Sequence, residues 1–154
     1  MASRVLVSLR VKASPARAFE AFTNEIADWW QPNGLFEFTQ EDTGSLAFEP
    51  RQGGRLTMAL ANGELFEVGR IKVWEPPLRL VLSWRTERLA PDQSTEVRVS
   101  FEPMGEETRV TVEHLGWDAI PREHAARHGF PLDVFQLRLA EWWQVLLRSF
   151  SARS

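Results

Sequence analysis

The sequence contains no cysteine and no tyrosine, and it has no excess of positive charge. The absence of cysteine excludes disulfides, thiolate nucleophiles and cysteine-ligated metals. Its 18 Lys and Arg against 21 Asp and Glu give a net charge of −3. This balance argues against nucleic-acid binding, because a binder needs extra cationic side chains to neutralise phosphates.

No segment predicts export or membrane insertion. Arg4 and Arg10 interrupt the opening stretch Met1–Lys12, where a signal peptide would need an apolar region. The most apolar stretch, residues 130–150, carries four charged side chains. No stretch approaches the roughly 20 apolar residues that a spanning helix needs. We therefore expect a cytoplasmic protein without membrane contact.

The composition is that of a folded domain. Hydrophobic residues make up 44% of the 154 positions and charged residues 25%. No repeat, linker or low-complexity tract divides the chain, so we predict one domain over residues 1–154. The unusual feature is aromatic: the chain has seven tryptophans and ten phenylalanines.

The first two thirds of the chain indicate a strand, two short helices and then a series of strands. Val5 to Val11 alternate with a period of two, and Ser14-Pro15 forms a helix start ahead of Ala16–Thr23. A second short helix is predicted over Glu25–Trp30. Turn residues separate the strands that follow, which are predicted at Leu35–Gln40, Ser45–Glu49, Arg55–Leu60, Glu64–Trp74, Arg79–Arg85, Thr95–Glu102 and Thr108–His114.

The last third changes period. Pro121–His128 predicts a short helix, and apolar side chains after it recur every three or four residues up to Phe150, which predicts an amphipathic helix of about 18–20 residues. A sheet with one apolar face needs a cover, and only this helix is long enough to provide it. We therefore predict an α+β fold, with a single curved antiparallel sheet wrapped around a long C-terminal helix and two short helices after the first strand.

The order of several motifs resembles a known family. The segments that carry the resemblance are Pro15–Thr23, Trp29-Trp30, Glu49–Arg55, Gly69–Trp84, Ser94–Val97, Thr108–Val112 and Leu115–Trp117. Together they resemble the SRPBCC superfamily of START-like helix-grip proteins, in the branch similar to the C-terminal domain of the heat-shock-protein-90 ATPase activator. The resemblance implies a helix-grip fold and, for function, a hydrophobic-ligand carrier, a cyclase or hydratase, or a chaperone activator.

Many large apolar side chains fall on segments that should border the space between sheet and helix. Two interpretations are open: they line an apolar ligand cavity, or they form an ordinary core. We take the cavity as the working hypothesis. The predicted ligand-binding residues among them are Trp29, Trp30, Phe36, Phe38, Phe48, Met58, Trp84, Trp117, Phe135, Leu139, Trp142 and Trp143.

His114 is a polar candidate for the same site. It shares a strand face with Val110 and Val112, so it should point inward. There it could hydrogen-bond a ligand or transfer protons, since histidine titrates near neutrality. The alternative is a core histidine whose hydrogen bonds are satisfied within the fold.

Glu67 is the second polar candidate, and its direction is ambiguous. Strict alternation places it on the face of Ile71 and Val73, in the cavity, where burial would raise the pKa of its carboxyl group. A bulge at Gly69 would instead turn Glu67 to water.

Nothing in the sequence predicts a metal or cofactor. His124 and His128 lie one helical turn apart, but no third ligand is evident near them. The segment Arg51–Gly54 lacks the spacing of a phosphate-binding loop and predicts a hairpin turn.

The leading prediction is that the domain binds a small hydrophobic molecule between its sheet and C-terminal helix. An enzyme of the cyclase or hydratase kind would need two titratable groups in the same cavity, and His114 with Glu67 is the pair available. A third possibility is an interaction protein: a homodimer, or a chaperone modulator with an exposed patch built from Trp29-Trp30 or Trp74. In the activator a separate N-terminal domain contacts the chaperone, and 154 residues leave no room for it.

Overall fold

The fold is described from a computed structural model. The residues that it describes are 4–30, 45–60, 63–85, 94–117 and 131–153. Several predictions lie outside these ranges: the strand Leu35–Gln40 with Phe36 and Phe38, and the helix Pro121–His128 with its two histidines.

Seven strands and three helices are formed by the described residues. In chain order they are β1 Arg4–Val11, α1 Pro15–Asn24, α2 Ile26–Trp29, β2 Leu46–Phe48, β3 Arg55–Ala59, β4 Leu65–Glu75, β5 Arg79–Trp84, β6 Thr95–Met104, β7 Glu107–Leu115 and α3 Leu132–Arg153. The strands form one sheet in the order β1-β7-β6-β5-β4-β3-β2, and every neighbouring pair is antiparallel. The predicted α+β fold is confirmed.

The sheet has one buried face, which we call the inner face. In β1 and β7 the alternation seen in the sequence is kept: Val5 lies opposite His114 and Val7 opposite Val112, and all four side chains are buried. From β2 to β7, each strand pairs with the next strand in the chain, and the last strand, β7, also pairs with β1. Period-two patterning therefore fixes which side chains face the interior.

Strand β4 carries a bulge where the sequence left two alternatives open. Leu56 and Thr57 of β3 pair with Gly69 and Glu67 of β4. Val68, between Glu67 and Gly69, has no partner in β3 and is therefore the extra residue of the bulge. Its side chain is fully buried. Glu67 lies on the outer face, where its carboxylate accepts a hydrogen bond from Arg70 at 2.9 Å. A Cβ atom on Gly69 would lie 1.8 Å from the carbonyl oxygen of Ser83, which explains the glycine. Glu67 therefore does not enter the interior, and the alternative with a bulge is the correct one.

A second irregularity in β4 corrects another expectation. Ile71 pairs with Leu82, but the register shifts before Val73, which pairs with Val81. Val73 was expected on the buried face with Ile71. That expectation is wrong, because the shift turns Val73 outward and places Trp74 on the inner face, 5.0 Å from the ring of Phe19. Bulges bend and twist a strand, so the two together curve the sheet.

The helices cover the inner face. Ser14 caps α1 as predicted, its Oγ accepting the Arg17 N–H at 3.2 Å, with Pro15 in the first turn. Helix α3 has 22 residues, slightly more than expected, and buries one stripe against the sheet. Ser149 of α3 donates a hydrogen bond to the carbonyl oxygen of Trp29 at 2.6 Å, which ties α3 to the end of α2.

Among the residues described, no helix has the length and apolar character needed to cross a membrane.

Candidate functional site

Most of the predicted ligand-binding side chains converge in the interior. Trp30 and Phe48 are half-buried, and the fully buried members are Trp29, Met58, Trp84, His114, Trp117, Phe135, Leu139, Trp142 and Trp143. They lie on α2, β2, β3, β5, β7 and α3, or directly after α2 and β7. The topology therefore brings together residues that are far apart in sequence.

Most of the interior aromatic side chains fall into two groups, which meet where the rings of Trp29 and Trp30 lie 5.8 Å apart. The first, which we call the phenylalanine core, contains Phe19, Phe22, Trp29, Phe101 and Phe150, with Phe22 5.0 Å from Trp29 and 5.6 Å from Phe150. Trp29 donates its indole N–H to the carbonyl oxygen of Ala21 at 3.0 Å and is completely buried. Trp29 thus serves the packing of α1 against α3, and it does not contribute to an exposed patch.

The second group surrounds His114, and we call it the aromatic cluster. Its members are Trp30, Trp84, His114, Trp117, Trp142 and Trp143. Ring centroids lie 5.8 Å apart for Trp30 and Trp84, 5.7 Å for Trp84 and Trp143, and 5.7 Å for His114 and Trp117. These spacings are those of aromatic rings in contact. The described part of the cluster is a continuous layer of touching rings.

Some depressions that are lined wholly by described residues lie outside the aromatic cluster. Three of them have volumes of about 310, 260 and 180 Å³, and none of the three opens among the rings of the aromatic cluster. The first lies between α1 and the turn after β4, and is bordered by Phe19, Trp74 and Pro77.

The local sequence explains how His114 acquires its partners. His114 is the last inward-facing residue of β7, and Gly116 follows with a φ of 99°, a conformation that glycine adopts without strain. This turn brings the indole of Trp117 back onto the imidazole. Helix α3 supplies Trp143 from the other side, and β6 supplies Thr95, which lies opposite Trp84 in the sheet.

Four polar contacts join these side chains. The Nε2 atom of His114 lies 2.7 Å from the Thr95 hydroxyl and 3.1 Å from the indole nitrogen of Trp117. Its Nδ1 atom lies 3.2 Å from the indole nitrogen of Trp143. The Thr95 hydroxyl donates to the carbonyl oxygen of Trp84 at 3.0 Å. His114 is therefore the polar centre of an otherwise apolar layer.

Burial lowers the pKa of His114 to about 3, because its surroundings cannot solvate a charged imidazolium. The side chain is 1% exposed and is neutral at physiological pH. Proton transfer near neutrality, one of the two roles considered for His114, is disfavoured by this shift. The pair of His114 with Glu67 does not assemble either, since Glu67 lies on the outer face beside Arg70.

Thr95 is the member of the site that sequence reasoning missed. It is 3% exposed and shares the inner face of β6 with Val97 and Val99. A polar residue in phase with buried valines is a signal that could have been used, because a buried hydroxyl needs a hydrogen-bond partner.

No group of three or more potential metal ligands occurs in the part of the chain that the structure describes. His124 and His128, the only spacing that suggested a metal, lie outside it.

One curved antiparallel sheet closed by a long C-terminal helix, with an aromatic interior, defines a helix-grip protein. The sequence profile of the family described as Activator of Hsp90 ATPase homolog 1-like protein matches residues 12–152. The chain therefore belongs to that family. No protein with a curated description is significantly similar to it in sequence.

Solved structures give the same fold. Protein MLL2253 from Mesorhizobium loti has a TM-score of 0.67 at 17% identity, over 97% of this chain and 95% of that one. The Aha1 dimer from Colwellia psychrerythraea has a TM-score of 0.65 at 16% identity, over 97% and 93%. The anthrahydroquino-γ-pyrone synthase Txn09 is 30% identical over 97% of this chain and 95% of its own, with a TM-score of 0.58.

Proposed function

We propose that the protein binds a small, largely apolar molecule between its sheet and α3, against the aromatic cluster. The observation that carries this proposal is the polar centre at His114. Ligand sites are usually apolar surfaces with a few convergent polar groups, and the cluster has this composition. Burying the polar atoms of a histidine costs free energy unless they are paired, and the partners of His114 come from β6, from α3 and from the turn after β7.

The side of the cluster nearest β2 to β4 is the proposed entrance. Partly exposed apolar side chains that pack against the core there include Trp30, Phe48, Leu60 and Phe66. Phe48 lies on the inner face of β2 opposite Leu56, and Phe66 lies on the inner face of β4 opposite the buried Met58. A ligand would cover these half-buried surfaces, and each Å² of apolar surface it removes from water contributes about 25 cal/mol.

The test is a fluorescence titration with the uncharged dye Nile red. We expect the folded protein to bind the dye at one saturable site and Trp30→Ala to weaken that binding. Trp74→Ala is the matched control, because Trp74 is also a half-buried tryptophan of the inner face but packs on Phe19, away from the cluster. Each variant must first show a cooperative thermal transition. Equal binding by Trp30→Ala and the parent, or no saturable binding at all, would contradict the proposal.

A cyclase-like enzyme is the second candidate, favoured by the 30% identity to Txn09. In that case neutral His114 would position the substrate, because the described cluster offers no second titratable group. Incubating the chain with the substrate of Txn09 tests this candidate. Formation of the γ-pyrone product would support it, and recovery of unchanged substrate would count against it.

Interaction roles stay predictions from the family resemblance. The relative from Colwellia psychrerythraea is described as a dimer, and the family is named for a chaperone activator. Size-exclusion chromatography with light scattering would test the homodimer. A pull-down that recovers no chaperone of the heat-shock-protein-90 class would count against chaperone contact. The cytoplasmic location likewise stays a prediction.

A further inference from the structure

The polar centre of the aromatic cluster has one hydrogen-bond donor too many at its imidazole, because the indole N–H groups of Trp117 and Trp143 face the two ring nitrogens of His114 and only one nitrogen of a neutral imidazole accepts. Its hydrogens are the indole N–H groups of Trp117 and Trp143, the Thr95 hydroxyl and the one N–H of neutral His114. Its acceptors are the other imidazole nitrogen, the Thr95 oxygen and the Trp84 carbonyl oxygen. An indole nitrogen only donates, so neither tryptophan can correct the imbalance.

The tautomer of His114 decides which donor is left over. With the proton on Nε2, His114 donates to Thr95, Thr95 donates to the Trp84 carbonyl oxygen, and Nδ1 accepts from Trp143. Only Trp117 then lacks an acceptor, since its indole N–H meets another N–H. With the proton on Nδ1, that N–H faces the N–H of Trp143, and two donors lose their partners. The Nε2–H tautomer therefore leaves the fewest unpaired hydrogens.

The donor left over is buried. Trp117 is 3% exposed, and its contact with His114 is the polar contact that the structure gives its indole. A buried donor without an acceptor is destabilising. Water would accept this N–H but would bring two further hydrogens that need acceptors of their own. An oxygen that only accepts fits better.

We infer that the bound molecule carries an uncharged carbonyl-type oxygen and that this oxygen accepts the indole N–H of Trp117. An uncharged oxygen is favoured over a carboxylate because the side chains around His114 in the cluster are neutral, and an unpaired charge buried there would be costly. His114 acts as a positioning residue: it orients Trp143 and Thr95 and leaves the Trp117 donor available. This inference rests on the proposed function, and it specifies the chemical class of the ligand.

The test compares 9-fluorenone with fluorene, two flat molecules of nearly the same shape that differ in one carbonyl group. We expect fluorenone to bind roughly two- to ten-fold more tightly, the ratio for one net hydrogen bond. In ¹⁵N-labelled protein, fluorenone should move the indole N–H signal of Trp117 downfield, and fluorene should not. Imidazole ¹⁵N shifts should show the Nε2–H tautomer of His114 before and after binding.

Trp117→Phe keeps an aromatic ring and removes the donor, so it should bind both compounds equally, at about the affinity of the parent for fluorene. Trp74→Phe, outside the cluster, should keep the preference. If both compounds bind the parent equally and the Trp117 signal does not move, the inference is overturned while the proposed function stands. An Nδ1–H tautomer would also overturn it. If neither compound binds, the proposed function itself fails. The tautomer and the Trp117 signal are read on the parent protein, so the test does not depend on the folding of a variant.

Discussion

Acidification provides the sharpest test of the environment assigned to His114. As the pH falls below about 6.5, the unfolded chain takes up a proton at this histidine, whereas the folded protein resists protonation until pH about 3. The folded-state pKa is lowered, so between these values the unfolded state binds more protons and stability falls as the pH falls. The slope approaches ~1.4 kcal/mol per pH unit, so His114 alone should remove about 2 kcal/mol of stability between pH 7 and pH 5.

The control is His114→Phe, which keeps a ring in the cluster but cannot titrate. Other groups titrate alike in both proteins, so the difference between their unfolding free energies isolates His114. Urea denaturation at several pH values, followed by tryptophan fluorescence and circular dichroism, measures this difference. We expect the advantage of the parent over the variant to shrink by about 2 kcal/mol from pH 7 to pH 5. A difference that stays constant over this range would refute the assignment of a buried neutral imidazole.

Three further predictions concern stability. A double-mutant cycle of His114→Phe and Trp143→Phe, measured by urea denaturation, should give a coupling energy of about 0.5–1.5 kcal/mol, because either substitution alone already removes the hydrogen bond between the two side chains. A coupling energy of zero would show that this hydrogen bond contributes nothing to stability. Gly69→Ala should destabilise the folded protein by roughly 1–3 kcal/mol or more, because the added Cβ would collide with the carbonyl oxygen of Ser83. Gly105→Ala is the comparison, since at that position the strain comes from the positive φ alone. An unchanged melting temperature for Gly69→Ala would refute the close approach. Ser14→Ala should cost about 1 kcal/mol and Ser14→Gly only a few tenths, since Ser14 caps α1; equal losses in thermal denaturation would show that the cap is not the cause.

The sequence predicted the sheet and its covering helix, but it did not predict which side chains of the longest strand, β4, face the interior. Alternation in β1 and β7 translates directly into burial because each strand pairs in register over its whole length. In β4 the two shifts depend on how β3 and β5 pair with it, and this is a non-local property. A glycine in the strand indicated the first bulge. No comparable signal marked the second, so Val73 was assigned to the wrong face.

The sequence located individual residues of the aromatic cluster in the interior but did not predict how they are arranged there. Inward phase identified His114, and helical periodicity identified Trp142 and Trp143. The hydrogen bonds of His114 could not be predicted, because they join β6, β7, α3 and the turn at Gly116. Its lowered pKa follows from that convergence, not from the local sequence. The surplus donor became visible only when all the hydrogens were counted in three dimensions.

The central claim is that the aromatic cluster around His114 holds a small apolar molecule. Native mass spectrometry of the freshly purified protein, before and after incubation with 9-fluorenone, tests it most directly. The account predicts a complex heavier than the bare chain by one small molecule, which disappears when the protein is denatured. The bare chain mass alone, both before and after incubation, would contradict it.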